Sequence, residues 1–345
     1  LFGAGLIGGR LRQGSMNTTA FSFGPLGAKG FAFLNMLQLI GWTSIMIYDA
    51  MLALQELAPL SPMIWTIAIG ALVILWLFIG LHNTGYIQAI VSVLLLGLTL
   101  YMGAHMISQW PSEGSLLTSG NMSFIAALEL SIAMPLSWLP LISDYTRESK
   151  KPFSASLTSA TVYTITSIVM YTLGLSAAIF GGGDSIITIM MNAGLGLAGL
   201  IVIIFSTVTT TFMDAYSAGV SSTTIYNGAS SKGIAVIVTI VGTIAAILYP
   251  MDDITDFLYL IGSVFAPMIA ILLADYFINR QQVQTVSAYL VRGLIWAVSV
   301  GLYHYMLHSE STIGATLPTF TMAFVVTAIV GFISKTAHTS SGIKP

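Results

Sequence analysis

Ten apolar stretches, each long enough to cross a lipid bilayer, make up most of this chain of 345 residues. A membrane-spanning helix needs about 20 predominantly apolar residues. The stretches lie at residues 29–54, 62–81, 85–106, 121–143, 153–180, 196–222, 233–250, 257–277, 286–306 and 316–334. Because the polar links between them are short, we expect residues 1–345 to form one all-α membrane domain with the lipid bilayer as its solvent.

The composition excludes several other classes of protein. Charged residues make up 7% of the chain and hydrophobic residues 56%, whereas soluble domains carry about 25% charged residues. A net charge of −2 leaves no basic surface for a nucleic acid. The chain has no Cys, which excludes disulfides and thiolate chemistry. We therefore predict neither a nucleic-acid partner nor a bound cofactor, and a monomer or weak oligomer.

The positions of the charges predict an orientation. If the apolar stretches cross the bilayer alternately, all 11 basic residues fall on one side. They are Arg10, Arg12, Lys29, Arg147, Lys150, Lys151, Lys232, Arg280, Arg292, Lys335 and Lys344. The opposite links carry Glu56, Glu113, Asp184, Asp252, Asp253, Asp256 and Glu310. Since basic loops stay in the cytoplasm, we predict a multi-pass protein of a bacterial-type inner membrane with a cytoplasmic C-terminus.

Polar side chains follow one face of the first stretch. Asn35, Gln38, Trp42, Met46 and Asp49 recur at steps of three or four residues, which is helical spacing. Trp offers a surface on which a flat ring can stack, and Gln offers both a donor and an acceptor. This face predicts a site for a ring-shaped ligand; helix–helix packing with a few hydrogen bonds is the structural alternative.

The fourth stretch contains prolines at positions 135 and 140 and the carboxylate of Glu129. Proline removes a backbone donor, so we expect the helix to break or kink between Met134 and Ser137. Unpaired backbone groups at membrane depth are tolerated where they line a cavity. We therefore place Glu129, Met134 and Ser137 in a binding site, with a kink that only shapes packing as the alternative.

Hydroxyl groups and a carboxylate share a face of the sixth stretch. Ser206, Thr210 and Asp214 are spaced four residues apart, and Thr209 lies beside them. Hydroxyl oxygens are hard ligands that suit a small cation. In membrane helices Ser and Thr also bond the carbonyl one turn back, which is the structural alternative for this group.

Two segments resemble the nucleobase:cation symporter-1 family, and within it the hydroxymethylpyrimidine transporter (CytX-type) branch. They are residues 15–50, with the pair Gly41–Trp42, and residues 135–156, with the Asp144–Tyr145–Thr146–Arg147 motif. The resemblance implies a LeuT-type fold, in which two inverted five-helix repeats belong to a twelve-helix protein. It implies that the ten stretches are helices 3 to 12, and that Leu1–Gly9 is the end of a helix 2 whose beginning precedes this sequence.

The resemblance also implies roles for residues. Trp42 is expected to stack on the ring and Gln38 to lie one turn from it. Met134 and Ser137 match the substrate-contacting break, and Asp214 matches a position that reads the ring. Sodium is implied at the hydroxyls of Thr209 and Thr210 and the carbonyl of Ser206. We therefore expect import of a hydroxymethylpyrimidine or cytosine-like ring by sodium symport; because helix 1 is missing, we expect residues 1–345 alone not to transport.

Three alternatives remain open at this point. A proton-coupled purine or allantoin transporter of the same family is the first, because the carboxylates of Asp49, Glu129 and Asp214 could each titrate. Tyr48–Asp49 followed by a Gly-rich segment ending in Asp184 literally matches an intramembrane aspartyl protease. That reading is weak because Asp184 falls in an acidic link and the chain has many spans. A channel is the third alternative, and it would pass current that is not limited by turnover.

Overall fold

The computed structural model describes residues 1–79, 81–108, 123–180, 191, 194, 196–252, 254–309 and 313–340, and every regular element in these ranges is helical. The helices are α1 (Phe2–Leu11), α2 (Ser15–Thr18), α3 (Ala20–Leu57), α4 (Pro62–Ile79), α5 (Leu81–Ser108), α6 (Phe124–Trp138), α7 (Ile142–Thr146), α8 (Pro152–Phe180), α9 (Gly196–Ile225), α10 (Ser231–Leu248), α11 (Ile254–Leu273), α12 (Val286–His308) and α13 (Thr316–Ser340). A π-helical turn, Ala274–Asn279, continues α11.

Ten segments among the described helices are long and apolar enough to cross a membrane. They match the ten predicted stretches, and the all-α prediction is confirmed. The fourth segment, Phe124–Thr146, contains two helices, α6 and α7, which are separated by three residues. Large apolar side chains remain exposed along most of the helices, which is the surface that a lipid-facing protein presents.

The first long helix is interrupted near its start. Gly24 has φ 68° and ψ 179° inside α3, and Pro25 follows it. The left-handed φ suits glycine, and proline is favoured at the first position of a helix. A Cβ atom on Gly24 would lie 2.7 Å from the ring of Tyr289. The short segment before Gly24 is thereby turned away from the long part of α3.

The helices pack in two groups. α3 packs against α4, α9 and α10, and α9 also packs against α4 and α10. α11 packs against α6, α12 and α13, while α1 packs against α7 and α8. One apolar cluster around Leu39, Val73 and Phe212 joins α3, α4 and α9. The side chains of α3 reach both groups, since Phe31 packs in the second apolar cluster with Phe265 of α11.

The break in the fourth segment lies later than predicted. α6 continues through Pro135 to Trp138, and the helical pattern is interrupted at residues 139–141, around Pro140. The backbone N–H of Leu141 bonds the carbonyl of Trp138 and so leaves the carbonyl of Ser137 free. The sequence predicts a break near Met134–Ser137, and the observed interruption begins two residues after Ser137, because Pro140 rather than Pro135 ends the helix.

A buried ion pair joins α12 to the end of α11. Arg292 Nη2 lies 3.0 Å from Asp275 Oδ1, and the two side chains are 6% and 0% exposed. Asn279 donates to the same carboxylate oxygen and to the carbonyl of Thr327 in α13. Arg292 is therefore inside the protein, where a carboxylate compensates its charge.

Candidate substrate and cation site

One internal cavity lies where α3, the α6–α7 break and α9 meet. Its volume is about 80 Å³, small beside the roughly 300–1,000 Å³ of typical ligand pockets. The lining residues are Trp42, Met46, Met134, Ser137, Trp138, Leu141, Thr210 and Asp214. Five of the predicted site residues thus line one cavity: Trp42, Met134, Ser137, Thr210 and Asp214. This volume is also below the roughly 150 Å³ of a cavity that holds benzene, so the cavity must widen to take a ring.

Two tryptophans contribute to the cavity wall. Trp42 is buried and packs edge-to-face on Phe257 at 5.5 Å between ring centroids, and its Nε1 has no hydrogen-bond partner among the described residues. Trp138 lies at the end of α6 and packs near Tyr163. Less than 1 Å² of Trp42 Nε1 is accessible, so this nitrogen does not line the cavity. The two side chains therefore offer the cavity aromatic surface.

Gln38 lies beside the cavity and bonds its backbone wall. Its Nε2 donates to the carbonyl of Ser137 at 3.0 Å and to Asn35 Oδ1 at 3.0 Å. The Ser137 carbonyl is the one that the helix break leaves free. Gln38 Oε1 is buried and accepts no hydrogen bond from the part of the chain that the structure describes. Gln38 is close to the predicted place, but it does not belong to the cavity lining.

Asp214 brings an acidic group into the cavity wall. Its side chain is buried, and among the described residues nothing donates a hydrogen bond to it or pairs with its charge. A buried carboxylate without a partner is costly in an apolar setting. A ligand that presents N–H donors, or a bound cation, lowers that cost. The arrangement suits a ring with donor groups at its edge.

The predicted cation ligands form one cluster on α9. The hydroxyls of Thr209 and Thr210 both donate to the carbonyl of Ser206, at 3.0 and 2.9 Å. This is the bonding pattern of the structural alternative. A hydroxyl that donates its proton keeps lone pairs for a cation, so the two oxygens still fit sodium. The Ser206 carbonyl accepts two hydrogen bonds here and has less capacity left than we expected.

Glu129 does not belong to the cavity. Its carboxylate accepts hydrogen bonds from the backbone N–H groups of Ala315 and Thr316 and from the Thr316 hydroxyl. Gly314, with φ 75°, leads the chain into this helix start. The structure therefore places Glu129 at the N-terminus of α13, whose unpaired N–H groups and positive dipole end attract a carboxylate.

Comparison with known proteins identifies the family. The sequence model of a protein family, the permeases for cytosine/purines, uracil, thiamine and allantoin, matches residues 4–341. The chain belongs to this permease family. It is 22% identical over 305 residues to the cytosine permease of Escherichia coli strain K12, covering 86% of this chain and 72% of the relative. The cytosine permease of strain O157:H7 matches to the same extent.

The fold also resembles solved transporters. The inward-facing conformation of Mhp1 aligns with a TM-score of 0.71 and 14% identity, covering 100% of this chain and 92% of that chain. A substrate-bound, outward-open Na⁺-coupled sialic acid symporter aligns with a TM-score of 0.68 and 16% identity, covering 93% and 76%. These are LeuT-fold transporters, so the predicted LeuT-type fold is confirmed, and the permease is a multi-pass membrane transporter.

Membership of a permease family bears on the alternative functions that the sequence left open. A permease family disfavours the aspartyl protease, whose second residue, Asp184, lies outside the described residues. Its first, Asp49, is far along α3 and lies near Asp252.

Two residues that line the cavity, Trp138 and Leu141, were not predicted from the sequence. The available signal was an aromatic side chain two residues before Pro140. Met46 lay on the predicted polar face, but no role was assigned to it.

Proposed function

We propose that this permease imports a pyrimidine-type ring, hydroxymethylpyrimidine or a cytosine-like nucleobase, together with a cation, and that the cation is sodium. The observation that carries the proposal is the meeting of Trp42 and Asp214, from two different helices, in one small cavity at a helix break. A flat face, a carboxylate and freed backbone groups together suit a heterocycle with N–H donors.

The preference for a pyrimidine rests on size and on polarity. A cavity of about 80 Å³ favours one ring over a fused pair. Asp214, when ionised, only accepts hydrogen bonds, so it pairs with an exocyclic amino group or a ring N–H. Trp42 offers the ring an aromatic face. The cytosine permeases among the relatives agree with this class of ligand.

The preference for sodium rests on the oxygens of α9. Thr209 and Thr210 present neutral hydroxyl oxygens one turn from the Ser206 carbonyl. Neutral oxygens cannot store a transported proton, whereas they are suitable ligands for a hard monovalent cation. Thr210 also lines the cavity. A cation at this position lies next to the ring, so binding of one favours binding of the other.

Symport then follows from alternating access. The cation must bind one state of the transporter better than the other, since a ligand with equal affinity for both shifts no equilibrium. Cation and ring occupy neighbouring positions between α9 and the α6–α7 break, so closure around the pair depends on both. We also infer one polytopic domain over residues 1–345 in a bacterial-type inner membrane, with the basic side and the C-terminus cytoplasmic.

The test is equilibrium binding of radiolabelled pyrimidines to the protein in membrane vesicles. We expect Trp42→Ala to weaken binding of hydroxymethylpyrimidine or cytosine more than tenfold, because stacking on an aromatic is worth about 1–3 kcal/mol. Trp65→Ala, which removes an indole bonded to the carbonyl of Ala58 outside the cavity, is the matched control. Binding that is equal in the Trp42 variant and the parent would contradict the stacking role; competition by purines alone would contradict the pyrimidine class.

A further inference from the structure

A hydrogen-bonded amide pair connects α3 to both sides of the helix break. Asn35 Nδ2 donates to Ser221 Oγ of α9 at 2.8 Å and to the carbonyl of Pro140 at 3.4 Å. Its Oδ1 accepts from Gln38 Nε2, which also bonds the carbonyl of Ser137. Two backbone carbonyls at the break are thus held by side chains of α3.

A tyrosine connects α7 to α9 in the same region. The hydroxyl of Tyr145 lies 3.2 Å from Ser217 Oγ and donates to the carbonyl of Met213 at 3.4 Å. We call Asn35, Gln38, Tyr145, Ser217 and Ser221 the polar layer. Four of them are sealed from solvent: Asn35 and Ser217 are 0% exposed, Ser221 1% and Gln38 4%.

The polar layer lies on one side of the cavity on all three helices. α3 runs from the basic residue Lys29 past Asn35 and Gln38 to Trp42. α9 runs from the cavity residue Asp214 past Ser217 and Ser221 towards the link that holds Lys232. Tyr145 lies between the break and Arg147. The layer therefore separates the cavity from the basic side of the protein.

We propose that the polar layer is the gate on the basic side of the cavity, with Asn35 and Tyr145 as its positioning residues. This rests on the proposed use of the cavity as the substrate site. The bond from Asn35 to Ser221 joins α3 to α9 and is kept when α7 and the break move away from these two helices. The bonds from Asn35 and Gln38 to the two backbone carbonyls at the break, and those from Tyr145 to α9, are lost. Water replaces these bonds, so opening costs far less than the vacuum strength of the bonds. A gate made of polar groups can thus open and close readily. A polar group that was buried without a partner in the closed state would instead oppose closure.

The absence of Cys from the sequence makes a direct test possible. A single cysteine in Leu141→Cys, at a buried position of the cavity wall, reports access to the cavity. Its labelling rate is measured with a charged, membrane-impermeant thiol reagent in right-side-out and inside-out vesicles. No substrate is needed, so failure of the gate and failure of the proposed substrate are distinguished.

We expect Tyr145→Phe in this background to raise labelling from the basic face about fivefold, the factor that corresponds to one lost hydrogen bond. Ser221→Ala should raise the rate in the same direction, because Ser221 no longer holds Asn35, whose amide bonds the carbonyl of Pro140. Tyr305→Phe removes a tyrosine hydroxyl from an exposed position on α12 and should change nothing. Unchanged rates in both layer variants, or equal increases from both faces, would overturn the proposal.

Discussion

Glu129 and Thr316 are joined by three hydrogen bonds. The backbone N–H of Thr316 lies 3.1 and 3.0 Å from the two carboxylate oxygens, and the hydroxyl of Thr316 donates to Oε2 at 2.5 Å. The hydroxyl of Thr316 is also within 3.3 Å of Tyr303 OH on α12. α6, the first half of the broken segment, is thereby attached to α12 and α13. The Glu129 carboxylate thus caps the N-terminus of α13 at membrane depth, and it need not contact the ring.

Removing this carboxylate should therefore affect stability more than binding. Glu129→Ala leaves the N–H groups of Ala315 and Thr316 buried without an acceptor, which we expect to cost about 3 kcal/mol. Glu129→Gln keeps one acceptor oxygen and should cost less, about 1 kcal/mol. The measurement is thermal unfolding of the purified protein in detergent, with ring affinity determined on the folded fraction. A selective loss of affinity at unchanged stability would return Glu129 to the substrate site.

The sodium proposal predicts a specific loss of ion dependence. In the double variant Thr209→Ala, Thr210→Ala, pyrimidine binding should no longer increase with sodium concentration, because both hydroxyl ligands are absent. Thr211→Ala is the matched control on the same helix, since its buried hydroxyl has no hydrogen-bond partner within the described ranges. Binding is titrated with sodium at constant ionic strength, with choline as the replacement cation. An unchanged sodium dependence in the double variant would exclude this cluster as the cation site.

Asp214 should determine which edge of a ring is accepted. Asp214→Asn replaces an acceptor-only group by one that also donates, so we expect binding of an aminopyrimidine to weaken about tenfold or more. A hydrogen bond to a charged group is worth about 1.5–3 kcal/mol, which supports this magnitude. Competition with cytosine and uracil measures the change in preference. If the affinities for both rings fall equally, Asp214 contributes to the cavity without reading the ring edge.

The turn before the long part of α3 should tolerate no side chain. Gly24→Ala forces a Cβ into the left-handed region and against Tyr289, so it should destabilise the protein by at least about 1–2 kcal/mol. Gly30→Ala, on the same helix and with open space around it, should be neutral or slightly stabilising. The comparison uses thermal unfolding of both variants. Equal stability of the two would show that the turn is not strained by a Cβ.

The helices and part of the site could be predicted because they depend on the types and spacing of residues that are close together in the sequence. Apolar length determines spans, and helical spacing brings Trp42 and Gln38 to one face whatever the neighbours are. The position of the break could not be predicted as well. Pro135 and Pro140 are equally disruptive in sequence terms, and the choice between them depends on whether α3 offers amide donors to the freed carbonyls.

The sequence by itself determined that the chain is a membrane protein and how many helices can span the bilayer. It also determined which polar helix faces could contact a ligand. Only the tertiary structure decided which polar groups meet. Asp214 and Trp42 converge on one cavity, while Glu129 lies against a helix start 187 residues away. The physical reason is that a polar group in a membrane must find a partner, but many partners satisfy it equally. Packing, which depends on the whole chain, selects among them.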